Sequence, residues 1–169
     1  MELKDALLKR RSVRKYKDLP VTDEQIDELL HAAMSGPSAC NKTPWEFYVV
    51  KNGPKLDSVK KSSLFSRFNS SLVIVVCGNT ECALPAPLTE YWIQDCSAAI
   101  ENILLRAVDL GLGGVWCGAY PQERVVNSLK ACLELPDTHI PLGIVHIGHP
   151  AQTPEPRDQY NPDKIHYIC

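Results

Sequence analysis

Leu72-Val73-Ile74-Val75-Val76-Cys77 is an unbroken apolar run, and its reading decides the fold. It is far too short to span a bilayer, and its β-branched residues favour a strand. A strand that is apolar on both faces lies in the middle of a sheet and is covered on both sides. On either side of it the same kind of reading continues. Trp45 to Val50 (WEFYVV) is a strand rich in aromatic and β-branched residues, Gly113 to Gly118 (GGVWCG) a Gly-flanked strand, and Ile140 to Ile147 the last core strand. Helical patterns alternate with them. Leu3, Ala6 and Leu7 give a first amphipathic helix its apolar side. Thr22 and Gln25 form a capping box, with Val21 and Ile26 placed to staple it, and Gly36-Pro37 stops the helix that follows. Gly53-Pro54 opens a short helix over Lys55 to Ser62. The longest helical pattern runs from Tyr91 to Leu110, with a stripe wide enough to be buried on more than one side and Gly111 placed to end it. Gln122 to Leu135 is another amphipathic helix. Strands alternating with helices predict an α+β or α/β three-layer domain around one sheet.

The chain has 169 residues, which suits one domain over 1–169 burying roughly 70% of its unfolded surface. A net charge of -2 provides no global basic field for nucleic acid. Charges within MELKDALLKRR exclude a secretory h-region, and no apolar run reaches membrane length; a cytoplasmic protein is expected. The seven cysteines (40, 77, 82, 96, 117, 132, 169) form no CxxC pair and read as small apolar core residues. Histidines 31, 139, 146, 149 and 166 show no metal-ligand spacing. Beyond Gly148 the prolines at 150, 154, 156 and 162 exclude a helix, yet Ile165, Tyr167 and Ile168 are too apolar for a free tail.

Charge gathers at Arg10-Arg11-Ser12-Val13-Arg14. In an extended chain Arg10, Ser12 and Arg14 share one face, two guanidinium forks with a hydroxyl between them. That set cradles a phosphate monoester well, although RRSVR taken alone reads more readily as a solvated basic turn. GLGG (Gly111 to Gly114) follows a helix and precedes a strand, the reverse of a dinucleotide-binding loop, so it reads as a helix C-cap. No P-loop, GxSxG or HExxH pattern occurs.

Four pieces in order carry a resemblance over nearly the whole chain: RRSVRKY, PSACNKTPW (Pro37 to Trp45), GLGGVWCG, and Gly148-His149-Pro150 with Pro156-Arg157. Together they resemble the FMN-dependent nitroreductase family, with one departure, Thr43 where the family pattern has Gln. The resemblance implies an α+β three-layer sandwich whose mostly antiparallel central sheet is flanked by helices, with a C-terminal arm extending onto a partner subunit. It implies a homodimer with FMN sites in the interface, no nucleic-acid or membrane partner, and NAD(P)H as the electron donor. The acceptor would be a small molecule such as a nitroaromatic or quinone, reduced by a ping-pong mechanism.

By the same resemblance Arg10, Arg11, Ser12 and Arg157 belong at the flavin phosphate and Arg14 near the pyrimidine edge. Trp116, Cys117 and Gly118 would bring main chain to the ring, and Pro37, Ser38, Ala39 and Asn41 would come from the other subunit. Ser63 and Ser66 are the nearest counterparts of a polar residue that some relatives place before the second strand. No catalytic side chain is implied, since the chemistry lies at the flavin N5. Two other readings remain: a flavin-binding relative with different chemistry, such as reductive dehalogenation or flavin fragmentation, and a non-enzymatic module binding phosphate or nucleic acid through RRSVRKYK.

Overall fold

In a computed structural model of the chain, which describes residues 1–168, the apolar run lies within strand β2 (Leu72–Asn79), buried along its whole length. β2 pairs with β1 (Trp45–Lys51) on one side and β4 (His139–Gly148) on the other, and β4 pairs with β3 (Gly113–Gly118). The order is therefore β1-β2-β4-β3, and all three ladders are antiparallel. The β2–β4 register slips once, between Val76 and Cys77.

Alternation along β2 sends Leu72, Ile74 and Val76 to one face and Val73, Val75 and Cys77 to the other. The first set packs under α2 (Asp23–Met34) and α4 (Tyr91–Asp109) through Leu29, Ala33, Ile100 and Ile103. The second packs under α3 (Pro54–Lys61) and α5 (Glu123–Leu133) through Leu56, Val59, Val125 and Leu129. Burying a side chain such as Ile100 contributes about 1.5–3 kcal/mol, which is why both faces of the sheet hold their helices.

The helix ends follow their local chemistry. Thr22 Oγ1 accepts from Gln25 N–H at 3.2 Å, and Gln25 Oε1 accepts from Thr22 N–H at 3.0 Å. Gly111, at φ 72, closes α4: its N–H reaches the Val108 carbonyl at 3.0 Å and Leu112 N–H the Ala107 carbonyl at 2.7 Å. This is the two-bond stop that only glycine enters without strain. The width of the α4 stripe has its reason within the subunit, since one side meets the sheet and another meets α2.

Two expectations need correcting. Helix α1 (Leu3–Lys9) buries only Ala6; Leu3 and Leu7 are exposed, because α1 lies on the outside of α4 and touches it along a narrow line. Of the cysteines, Cys77, Cys96 and Cys117 are buried as small apolar residues, but Cys40 and Cys82 sit exposed in loops. Cys169 lies outside the described residues. The tail after β4 is irregular apart from a 3-10 turn at Pro162–Lys164, and Tyr167 and Ile168 cover nothing in their own subunit.

Candidate functional site

α1 ends at Lys9 because Arg10 turns extended, and from there the chain runs along the free edge of β3. Ser12 bridges Gly114 in parallel, and Val13 N–H donates to the Gly114 carbonyl at 3.0 Å. Val13 fits there because residue 113 is glycine: a Cβ at 113 would lie 2.8 Å from the Val13 Cβ. The segment then zips to the chain beyond β4, Lys17 N–H reaching the His149 carbonyl at 2.8 Å and Ala151 N–H the Lys15 carbonyl at 2.9 Å. Tyr16 locks the zip. Its phenol is buried and donates to the Val13 carbonyl at 2.5 Å, and the Asn69 side chain mimics a strand, accepting from Tyr16 N–H and donating to its carbonyl. Farther on, the tail doubles back to α1, where Arg157 N–H donates to the Leu8 carbonyl at 3.2 Å.

This folding-back gathers Arg10, Arg11, Ser12, Arg14 and Arg157 around one cavity of about 590 Å³. Strict alternation put Arg11 on the opposite face from Arg10, Ser12 and Arg14. It lines the cavity with them, its guanidinium reaching the Glu155 carbonyl of the returning tail. Glu101 of α4 and Asp158 also line the space, and Glu101 Oε1 lies 3.3 Å from Arg10 Nε. Four guanidiniums against two carboxylates leave the cradle positive.

Arg14 lines a second cavity as well, of about 510 Å³, whose wall includes Phe65, Phe68, Trp116, Cys117 and Gly118. Nothing occupies the space where a Cβ on Gly118 would stand, so its main chain is open to a ligand. Trp116 is half exposed, its indole held against Gly143, where a Cβ would collide with it. The Cys117 thiol donates to the Phe65 carbonyl at 3.1 Å, and burial pushes its pKa up to about 11, so it stays protonated and unreactive.

Pro37, Ser38, Ala39 and Asn41 are not brought to either cavity in the same subunit. Their loop is tied to α4, where Ala39 N–H donates to buried Asp95 at 2.9 Å, and to itself, where Ser38 Oγ accepts from Thr43 N–H at 2.9 Å. Cys40, Asn41 and Thr43 hold left-handed φ values of 49, 53 and 46, costly for a β-branched threonine and a sign of a constrained loop.

The sequence leaves the roles of Ser63 and Ser66 open, and Ser66 turns away from both cavities. Its hydroxyl is fully buried and lies 2.6 Å from His146 Nε2, while Ser63 Oγ accepts from Phe65 N–H, so neither serine faces a cavity. His146, on the α3/α5 face of β4, meets Ser70 Oγ through Nδ1 at 2.9 Å. Burial, and secondarily the Lys60 charge, pushes its pKa down to about 3, so the ring is neutral, donating through one nitrogen and accepting through the other. Leu64, Phe65, Phe68 and Tyr16 went unnoticed in the sequence. Tyr16 ends the quoted RRSVRKY motif, but nothing local distinguishes the three apolar loop residues from core.

A positive cradle joined at one arginine to an aromatic-lined space suits a phosphate monoester that carries a flat ring system. The comparisons with known proteins agree in kind. The family model described as "Nitroreductase family" matches residues 7–66 and 67–149. A protein of Methanothermobacter thermautotrophicus, provisionally named NADH dehydrogenase/NAD(P)H nitroreductase, is 39% identical over 168 residues, covering 98% of this chain and 86% of its own length. A crystal structure from Parabacteroides distasonis with the same provisional name superposes at TM-score 0.91 with 39% identity, over 98% of this chain and 96% of that one. One from Desulfovibrio desulfuricans, provisionally a nitroreductase and solved in complex with FMN, superposes at TM-score 0.85 with 26% identity, over 100% and 98% of the two chains.

Proposed function

The chain belongs to the nitroreductase family, and from that premise we propose that it is an FMN-dependent oxidoreductase passing electrons from NAD(P)H to a nitroaromatic or quinone acceptor. One observation carries this: the cradle of Arg10, Arg11, Ser12 and Arg157 adjoins the aromatic cavity at Arg14, so phosphate and ring sites are contiguous. When bound, FMN supplies the hydride-accepting ring that the protein lacks. Arg10, Arg11 and Arg157 would hold the phosphate through charge-assisted hydrogen bonds, joined by the Ser12 hydroxyl. Arg14 sits where cradle and ring cavity meet and would place positive charge beside the pyrimidine edge. The open main chain at Gly118 would face the ring, and Trp116 and Phe65 would keep water from it.

Residues 1–169 act as one unit in this reading, and the functional form is a homodimer. The Pro37, Ser38, Ala39 and Asn41 loop, remote from the cradle of its own subunit, completes the site of a second copy. Exposed Leu3, Leu7, Met34, Tyr91, Tyr167 and Ile168 supply apolar surface for that contact. No helix among the described residues is long and apolar enough to cross a membrane. Free cysteines and a nicotinamide donor suit the reducing cytoplasm.

The test is colour. The purified chain is expected to be yellow, to release FMN on denaturation, and to be bleached by NADH or NADPH in an anaerobic cuvette, with colour restored by a quinone. A colourless protein that takes up no FMN, or a flavin that neither nucleotide bleaches, overturns the reading.

A further inference from the structure

The irregular segment between α3 and β2 is turned inside out. Its hydroxyls at Ser63, Ser66 and Ser70 are buried, whereas its apolar side chains Leu64 and Phe65 are 65% and 76% exposed. Ordinary partition would do the opposite, so something must hold the loop in this state. Besides the Cys117 bond to the Phe65 carbonyl and the Asn69 bonds to Tyr16, an imidazole ties the loop's hydroxyls together. His146 lies between Ser66 Oγ at 2.6 Å and Ser70 Oγ at 2.9 Å, and Phe68 meets the same ring edge-on at 5.2 Å between centroids. One rigid ring on β4, the strand between β2 and β3, thus fixes both ends of the stretch that carries Phe68 and follows Leu64 and Phe65. Both exposed side chains, with Phe68, face the cavity that Arg14 and Trp116 share.

We propose that His146 is a positioning residue for the acceptor: by binding Ser66 and Ser70 together it sets the apolar wall of Leu64, Phe65 and Phe68 against which a flat aromatic or quinoid acceptor packs. The proposal rests on the reductase reading of that cavity. His146 itself touches neither cavity, and it acts only through the loop. The alternative is that His146 merely fills space. An aliphatic residue would then serve as well, and the acceptor would not sense the change. The wall and the filler differ in what they predict for the acceptor's KM, because a misplaced wall loses binding contacts while the hydride-transfer geometry set by the cradle stays intact.

The experiment uses the FMN-loaded protein and the variants His146→Leu, Ser66→Ala and Ser70→Ala, with 1,4-naphthoquinone as acceptor. Rates are normalised to bound flavin. Expected for His146→Leu is a rise of about tenfold in the quinone's KM with kcat within about twofold, and a smaller rise for each serine variant. Independently of turnover, amide exchange at residues 64–70 should accelerate about tenfold while the helices keep their protection. An unchanged KM in all three variants, or a KM change without faster exchange in the loop, overturns the proposal. A loss of kcat that follows thermal stability, with KM constant, does so too, because that marks a filler. If the wild type binds no flavin or oxidises no nicotinamide, the functional reading fails instead, and the exchange measurement still decides whether His146 holds the loop.

Discussion

Arg10 has two partners to choose between, Glu101 in its own subunit and the phosphate proposed for the cradle. Its side chain is partly exposed and its ion pair with Glu101 spans 3.3 Å, so the pair contributes at most about 1 kcal/mol to folding. A charge-assisted bond to a phosphate contributes more, about 1.5–3 kcal/mol. Arg10→Ala is therefore expected to weaken FMN binding by at least tenfold while shifting the melting temperature little, as flavin titration of the apoprotein and thermal unfolding would report. An unchanged affinity removes Arg10 from the phosphate site. His146 makes the opposite kind of prediction, about stability and pH. Its folded pKa is near 3, while an unfolded histidine titrates near 6.5, so between these values the unfolded chain binds the extra proton. Its contribution is complete above about pH 6.5 and is lost as pH falls toward 3, by about 2 kcal/mol at pH 5. Urea midpoints near pH 7.5 and pH 5 should therefore converge between wild type and His146→Leu as the pH drops. Parallel pH profiles would show that the ring is not held neutral.

Among the elements, the extended segment Arg10 to Arg14 depends on a glycine it does not contain. A Cβ at 113 would sit 2.8 Å from Val13 Cβ and Cγ2, and both residues are buried, so Gly113→Ala must push the segment off β3. The expected cost is about 1–3 kcal/mol of stability, with loss of FMN affinity although no ligand side chain has changed. Circular dichroism melts and flavin content measure the two together, and Val13→Gly in the same chain should restore part of each. A Gly113→Ala protein with full flavin affinity would show that the bridge to β3 does not position the cradle. The same segment marks how far the sequence could be read. Alternating apolar residues, the Thr22/Gln25 box and the Gly111 stop are local signals, and each element they delimit formed within a few residues of its expected place. Ser12 and Arg14 were legible because two charges and a hydroxyl stand close in sequence. Alternation along one strand groups only Arg10, Ser12 and Arg14; Arg11 joins them because its guanidinium reaches the Glu155 carbonyl of the returning tail. Leu64, Phe65 and His146 were illegible for the same reason. Their roles depend on contacts across the sheet, and a buried histidine cannot be told from a surface one by its neighbours in sequence.

For the whole molecule, the exposed apolar residues of α1 and the uncovered arm ending in Tyr167 and Ile168 are the surface that the proposed homodimer would cover. Light scattering at micromolar concentration is expected to give twice the subunit mass, and a flavin-bound monomer would refute the shared site. The junction of the two cavities then bears on the kinetics. Cradle and ring cavity meet at Arg14, and the ring cavity carries the aromatic walls of Phe65, Phe68 and Trp116. Residues 1–169 hold no dinucleotide fingerprint. In the proposed reading nicotinamide and acceptor share the space bounded by Phe65, Phe68 and Trp116, about 510 Å³ in one subunit. Two flat rings stacking on the same face of a flavin exclude each other, so on this reading the donor would leave before the acceptor arrives. Initial rates at varied quinone and several fixed NADH concentrations are expected to give parallel double-reciprocal lines, with each substrate inhibiting competitively against the other when in excess. Intersecting lines, together with a ternary complex trapped with a non-reducible nicotinamide analogue, would mean that donor and acceptor occupy separate places and that the aromatic cavity serves only one of them.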